Sequence, residues 1–367
     1  MKIGIDASRA NETQKTGVGW YAYHVIQELK KQTPRDVEVV LYTNKPLQGD
    51  LADLPSGWTQ KVLKWSPKRL WTQVRLSWEM LLHRPDVLFI PAHVFPLIHP
   101  KKTVMTVHDI AAITFPGSYS WFERWYSVWS ARVALKKLWK IITPSEFTKS
   151  ELESLKVRKF KSDKIHVIHH GYDKRYSENE NKVEIEKALD KYGLKKPFLM
   201  SIGRLEEKKN TVRIIKAFEK LRLTTENLQL ILIGNPGHGY DKVKKVIDNS
   251  KYKEDIITPG WVDNNDLPIL MSGAEVFVFP SLYEGFGIPV LESLASGTPV
   301  VTSKGSCLEE VGGDVCIYVD PADVDSIVHG ISDAFDASEI RIQQGLKHTE
   351  GFSWEKCAKK TLETLLS

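Results

Sequence analysis

The chain has 367 residues, 42% of them apolar and 26% charged, with a net charge of +5. That length is too great for one ordinary hydrophobic core, so two domains are expected, and the balance is that of a globular protein in water. It holds no run of about 18 apolar residues, which argues against a membrane-spanning helix, and no nucleic-acid partner is expected.

In chain order, short apolar runs alternate with helical stretches. Met1–Asp6 enters a strand at once and lacks a signal-peptide pattern. Further strands are expected at 37–42, 87–90, 102–107, 141–143 and 166–168. After a polar stretch, 172–181, and a helix over 183–192, the alternation restarts. Strands are expected at 197–203, 228–234, 256–257, 276–279 and 299–302. Strands that alternate with helices predict parallel sheets built from βαβ units. Two such series predict two doubly wound domains, 1–175 and 176–352, with a closing helix over 353–367 that Ser353 starts. Cys307, Cys316 and Cys357 are scattered, which fits buried thiols in a reducing cytosol.

Charge is unevenly placed. Residues 61–85 carry six Lys or Arg against Glu79, and residues 119–140 carry five against Glu123. The same segments hold seven of the eleven tryptophans. Cations interleaved with tryptophan on helices suit an anionic bilayer, so peripheral contact with the inner face of a plasma membrane is expected of a cytoplasmic protein.

Four stretches carry chemistry. Gly17-Val18-Gly19-Trp20-Tyr21-Ala22 imitates a dinucleotide fingerprint, but residues 7–16 separate it from the first strand, whereas that fingerprint follows its strand directly. A dehydrogenase is therefore disfavoured. His108-Asp109 ends a strand, at the edge where α/β proteins bind ligands. Arg204 and Lys209 precede a helix, so two cations and its N–H groups face one anion. Finally, Glu284-Gly285-Phe286-Gly287-Ile288 leads to Glu292, setting two carboxylates around a glycine turn at a helix start. Asp323-Val324-Asp325 follows Asp320-Pro321 and reads as a helix N-terminus rather than a metal site.

These stretches, with Thr143-Pro144-Ser145-Glu146, Gly260-Trp261-Val262 and Gly297-Thr298-Pro299, strongly resemble family 4 of the retaining glycosyltransferases over nearly the whole chain. The resemblance implies the GT-B architecture, two Rossmann-like domains facing a cleft, with the last helix returning to the first domain. That first domain is implied to bind acceptor, the second the nucleotide sugar. Glu284 is implied to lie beside the donor sugar, Arg204 and Lys209 to hold its diphosphate, and His108, oriented by Asp109, to reach the sugar. Gly17 and Gly19 would form a flexible loop near phosphate and acceptor. Glu292 would accept bonds from the ribose hydroxyls. N–H groups of Phe286, Gly287 and Ile288 would meet sugar or phosphate. Gly203, Asn235 and Val262 complete the donor site. The implied reaction is metal-independent hexosyl transfer from a nucleotide diphosphate sugar to a saccharide or lipid-linked acceptor. No cofactor is expected. The nearest likeness is to bacterial mannosyltransferases of polysaccharide assembly, which favours GDP-mannose over UDP-glucose. A UDP-glucose-dependent glucosyltransferase and a nucleotide-sugar 2-epimerase of the same fold are the alternatives.

Overall fold

In the computed structural model the described residues are 1–66, 70–92, 94–119, 121–157, 161–179 and 181–367, the side chains of Ser118, Phe122 and Glu123 excepted. The chain forms two units. Met1–Ile113, Trp121–Gly171 and Phe352–Ser367 make the first; Thr114–Ser120 and Tyr172–Gly351 make the second.

The first unit is built on β1 (Lys2–Asp6), β2 (Glu38–Thr43), β3 (Trp58–Val62), β4 (Val87–Ile90), β5 (Lys102–Thr106), β6 (Lys140–Thr143) and β7 (Ile165–Val167). They pair in parallel in the order β3-β2-β1-β4-β5-β6-β7. The second holds β8 (Phe198–Ile202), β9 (Gln229–Ile233), β10 (Ile256–Gly260), β11 (Val276–Phe279), β12 (Val300–Ser303) and β13 (Ile317–Val319). Their order is β10-β9-β8-β11-β12-β13, again all parallel. The strand order reverses between β1 and β4 and between β8 and β11. Crevices at such switch points bind ligands outside the carboxyl ends of the strands.

The central strands β4, β9, β11 and β12 are buried at every position; β4 and β11 accordingly read as unbroken apolar runs, whereas β9 opens on Gln229 and β12 ends on Thr302 and Ser303. Two strands escape that reading. β3 is an edge strand of sequence Trp-Thr-Gln-Lys-Val, and β13 is a three-residue edge. An edge needs no second buried face, so its pattern is weak.

Three expectations are corrected at their boundaries. The stretch implied to be a flexible loop at Gly17 and Gly19 opens a helix, Gly17–Gln32, in which Trp20 N–H already bonds the Thr16 carbonyl at 2.9 Å. Gly17 and Gly19 are thus the helix's first turn, not a loop. The helix after the glycine turn starts at Ile288, so Glu292 stands one turn inside it rather than at its head. Tyr172–Arg175 belongs with the second unit, since Tyr172 bonds Thr349 at 3.3 Å and Arg175 bonds Asn265 at 3.2 Å. Glu180, in the expected linker, lies outside the described residues.

The last helix, Trp354–Leu366, packs in the first unit against Gly17–Gln32. Ser353 caps it through Lys356 N–H at 3.1 Å. Trp354 stacks on His24 with ring centres 5.0 Å apart. Gly171 makes this possible, because a Cβ there would lie 2.1 Å from Trp354 N. Among the described residues no helix is long and apolar enough to cross a membrane.

Candidate active site

Ten of the expected site residues fall on the second unit, and the carboxyl edges of its strands arrange most of them. Gly203 N–H bonds the Ile233 carbonyl and Gly234 N–H bonds Gly260, both at 2.9 Å. Leu205 N–H bonds the Asn235 carbonyl at 3.1 Å. These bonds knit the loops after β8, β9 and β10 into one surface. Gly234, at φ 144°, leaves no space for a side chain: a Cβ would sit 2.0 Å from the Gly203 carbonyl oxygen. Arg204 and Asn235 are exposed on this surface, whereas the Val262 side chain is buried. Val262 therefore offers main chain to a ligand.

Across the switch point, the loop after β11 is held by its carbonyls. Asn210 Nδ2 donates to the carbonyls of Pro280 at 2.9 Å and Pro321 at 2.6 Å. Thr302 Oγ1 donates to Phe279 O at 3.0 Å, and Ser303 Oγ to Ser281 O at 2.6 Å. The buried Cys307 thiol donates to the carbonyls of Glu284 at 3.2 Å and Phe286 at 3.4 Å. Gly287, at φ 103°, then turns the chain into the helix Ile288–Ala295; a Cβ there would meet Leu308 Cδ2 at 2.4 Å. Only glycine suits both that backbone and that space. The N–H groups of Gly287 and Ile288 stand at the start of that helix, a position that favours an anion or hydroxyl.

Between the two loops Lys209 Nζ forms an ion pair with Glu284 Oε1, with both side chains mostly buried. Lys209 also lies over the Phe279 ring, 5.1 Å from its centre. The two residues assigned to diphosphate and donor sugar thus meet each other. Asn210, at φ 61° and 2% exposed, fixes the backbone next to Lys209. Asn210 carries no sequence expectation and Cys307 only that of a buried thiol; nothing in their local sequence signals the loop they hold.

Glu292 is partly accessible and has Asp173 and Arg175 beside it. Removal from water, and the Asp173 carboxylate nearby, push its carboxyl up to about 8, with Arg175 opposing. Arg175 itself is clamped by Asp173 at 2.7 Å.

The other four site residues belong to the first unit. Gly19 approaches the Arg9 carbonyl, where a Cβ would stand at 3.1 Å, while Gly17 faces open space. His108 is 8% exposed, its Nε2 3.0 Å from the Pro91 carbonyl and its ring against Tyr21 at 4.6 Å. Asp109 accepts a bond from Ala111 N–H at 2.9 Å. The Pro91 carbonyl is thus one partner of the His108 ring, and Asp109 also caps the turn that follows. Asp323 caps the helix Val324–Phe335 through Asp325 N–H at 2.9 Å, as its sequence context predicts.

Paired parallel sheets of this order, with a Lys–Glu pair and helix N–H groups at the second switch point, define a GT-B glycosyltransferase. The family profile for glycosyltransferase family 4 matches residues 15–176, and that for glycosyl transferases group 1 matches residues 183–345. O-antigen chain mannosyltransferase B of Escherichia coli is 33% identical over 267 residues, 71% of this chain and 69% of that protein. O-antigen chain mannosyltransferase RfbU of Salmonella typhimurium is 30% identical over 231 residues, 63% of this chain and 60% of its own. The sucrose-phosphate synthase structure from Thermosynechococcus elongatus superposes with a TM-score of 0.77 at 16% identity, covering 99% of this chain and 98% of that one. The chain belongs to the family 4 glycosyltransferases, and it is an enzyme of sugar transfer.

Proposed function

We propose that this enzyme transfers mannose, with retention at the anomeric carbon and without a metal ion, from GDP-mannose to a saccharide or lipid-linked acceptor in polysaccharide or glycolipid synthesis. The observation that carries the reading is the Lys209–Glu284 pair at the β8/β11 switch point. Breaking the anomeric bond puts negative charge on the departing diphosphate, and fixed cations stabilise that charge. Lys209 lies over the Phe279 ring, and its neighbour Asn210 ties the loop to the Pro280 carbonyl, while exposed Arg204 supplies the second cation. Diphosphate would draw Lys209 from Glu284 and free that carboxylate for the sugar. Glu292 would take the ribose hydroxyls, and Gly287 and Ile288 N–H groups the phosphate or sugar. His108 and the turn at Gly17–Gly19 would approach donor and acceptor from the first unit. A departing phosphate oxygen, held by the two cations, accepts the acceptor's proton, so no side chain need act as general base.

Mannose as the group moved is favoured by the names of the two relatives; UDP-glucose is the alternative donor. A cytoplasmic enzyme at the inner membrane face fits a lipid-linked acceptor. The test is a thermal-shift screen of GDP, UDP, ADP and TDP, followed by transfer assays with the matching sugar and NMR of the product's anomeric proton. GDP-selective stabilisation, by about 2.7 kcal/mol at a hundredfold excess over Kd, and an α-linked product are expected. UDP selectivity would move the donor to glucose, an inverted anomer would overturn retention, and an epimerised sugar without acceptor would make the enzyme a 2-epimerase.

A further inference from the structure

One face of the first unit exposes more apolar surface than its folding requires. Residues Trp71–Leu76 wind as a π-helix that continues as an α-helix over Ser77–Leu82, and the element has two apolar sides. Trp71, Leu76 and Met80 fill the core. On the outer side Leu70 is 54% exposed, Val74 41%, Trp78 58%, Leu81 47% and Leu82 57%. Their spacing keeps them on one stripe.

Two other segments extend that stripe. Gln73 Nε2 donates to Tyr126 OH at 2.8 Å, which brings up the helix Trp121–Lys137 with Trp121 79% and Trp125 51% exposed. Ile98 N–H donates to Ser77 Oγ at 3.3 Å, so Leu97, 59% exposed, borders the other side. Contiguous apolar surface of this kind marks an interaction site.

Charge selects the occupant. Between Lys64 and Arg84 the one carboxylate, Glu79, is buried, and residues 94–102 contain none. Lys64, Arg84, Lys101 and Arg124 are exposed around the patch. The cationic field is nevertheless smaller than composition suggests. Lys61 and Arg75 pair with Glu79, and Lys140 donates to the Thr364 carbonyl and lies over Trp139. Lys68 and Arg69 lie outside the described residues. The helix Trp121–Lys137 adds one carboxylate, Glu123, against Arg124, Arg132, Lys136 and Lys137, and exposed tryptophans with a net cationic rim suit the boundary between headgroups and acyl chains.

We propose that this face docks on an anionic phospholipid bilayer by inserting Trp78, Leu81, Leu82, Leu97, Trp121 and Trp125, with the rim cations on headgroups. The binding is driven mainly by apolar insertion and only assisted by charge. It goes beyond the sugar-transfer reading and does not depend on it.

The test is co-sedimentation of the full chain with vesicles of phosphatidylethanolamine and phosphatidylglycerol. Trp78→Ser with Leu82→Ser should lower the partition coefficient about tenfold or more, whereas 1 M salt should lower it only about two- to threefold. Trp121→Ser with Trp125→Ser, on a separate helix, should do the same as the first pair. Melting temperatures should match wild type, because all four side chains are exposed. Bromine-labelled acyl chains should quench wild-type tryptophan fluorescence and quench it less in either variant. Wild-type binding by both variants, or binding abolished by salt alone, would overturn the proposal. So would a dimer, seen by sedimentation velocity without vesicle binding and lost in both variants; that face would then join two copies of this chain.

Discussion

Lys209 and Glu284 stand 75 residues apart in the chain and are joined by an ion pair at the carboxyl edge of the second sheet. Each comes from a loop whose backbone is fixed by other side chains: Lys209 by its neighbour Asn210, Glu284 by the Cys307 thiol beneath its carbonyl. The pair keeps Lys209 beside the site until diphosphate draws it from Glu284, and a cation positioned there in advance stabilises a departing diphosphate.

Lys209→Ala should therefore lower turnover on the order of 10²–10³, comparable to the loss of one preorganised donor at a charged transition state. Arg204→Ala should fall in the same range, with little change in melting temperature because Arg204 is exposed. The two differ in their folded state, since Lys209→Ala also leaves Glu284 without its partner. Steady-state transfer kinetics and thermal melts of both variants check this; near wild-type turnover in both would remove them from the diphosphate site.

Above pH 8, where the Glu292 carboxyl is ionised, Glu292→Gln should weaken nucleotide binding by roughly 1.5–3 kcal/mol, the value of a hydrogen bond to a charged group. Its effect on stability should have the opposite sign at high pH. The folded carboxyl is raised from 4.5 to about 8. The folded state accordingly holds a proton that the unfolded state has lost between those values, and stability falls as pH rises through that window. The neutral amide removes this slope, so the variant should gain over wild type in denaturant melts at pH 8 relative to pH 5. Titration calorimetry gives the binding half.

Acid should destabilise the first unit through His170. Burial, with His108 and His169 nearby, holds its imidazole well below 6.5. Unfolded chains take up a proton there below pH 6.5 and the folded one does not, so this contribution is complete above pH 6.5 and is lost as pH falls. His170→Phe, which keeps a ring between Tyr21 and Trp354, should flatten the decline of melting temperature between pH 6.5 and 5.

Gly171→Ala should cost roughly 3 kcal/mol or more, at the upper end of overpacking effects. Its Cβ would fall 2.1 Å from Trp354 N and 2.4 Å from the Ser353 carbonyl carbon, driving the cap of the last helix away. Limited proteolysis should then cut near residues 352–367 before the rest of the chain, a pattern that wild type should not show.

Transfer should survive excess chelator, because Arg204 and Lys209 supply the charge a metal would bring. Inactivation by EDTA with rescue by Mn²⁺ would place an ion at the diphosphate.

The sequence alone determined the two parallel-sheet series, since strands buried on both faces are mostly apolar and such runs are visible without a structure. It also determined the glycine turn Gly285–Gly287 and the cations Arg204 and Lys209, because backbone strain and charge at a helix head leave local marks. Edge strands β3 and β13 left no such mark, lacking a second buried face. Tertiary structure alone decided that Lys209 meets Glu284, that Asn210 and Cys307 hold the loops around them, and that the Pro91 carbonyl lies against the His108 ring. It also divided the tryptophans. Trp71 fills the core while Trp78, seven residues on, faces out, because a π-helical turn followed by an α-helix gives one segment two apolar sides. Composition cannot tell which side meets the protein and which meets its surroundings; only the packing of the neighbouring helix does.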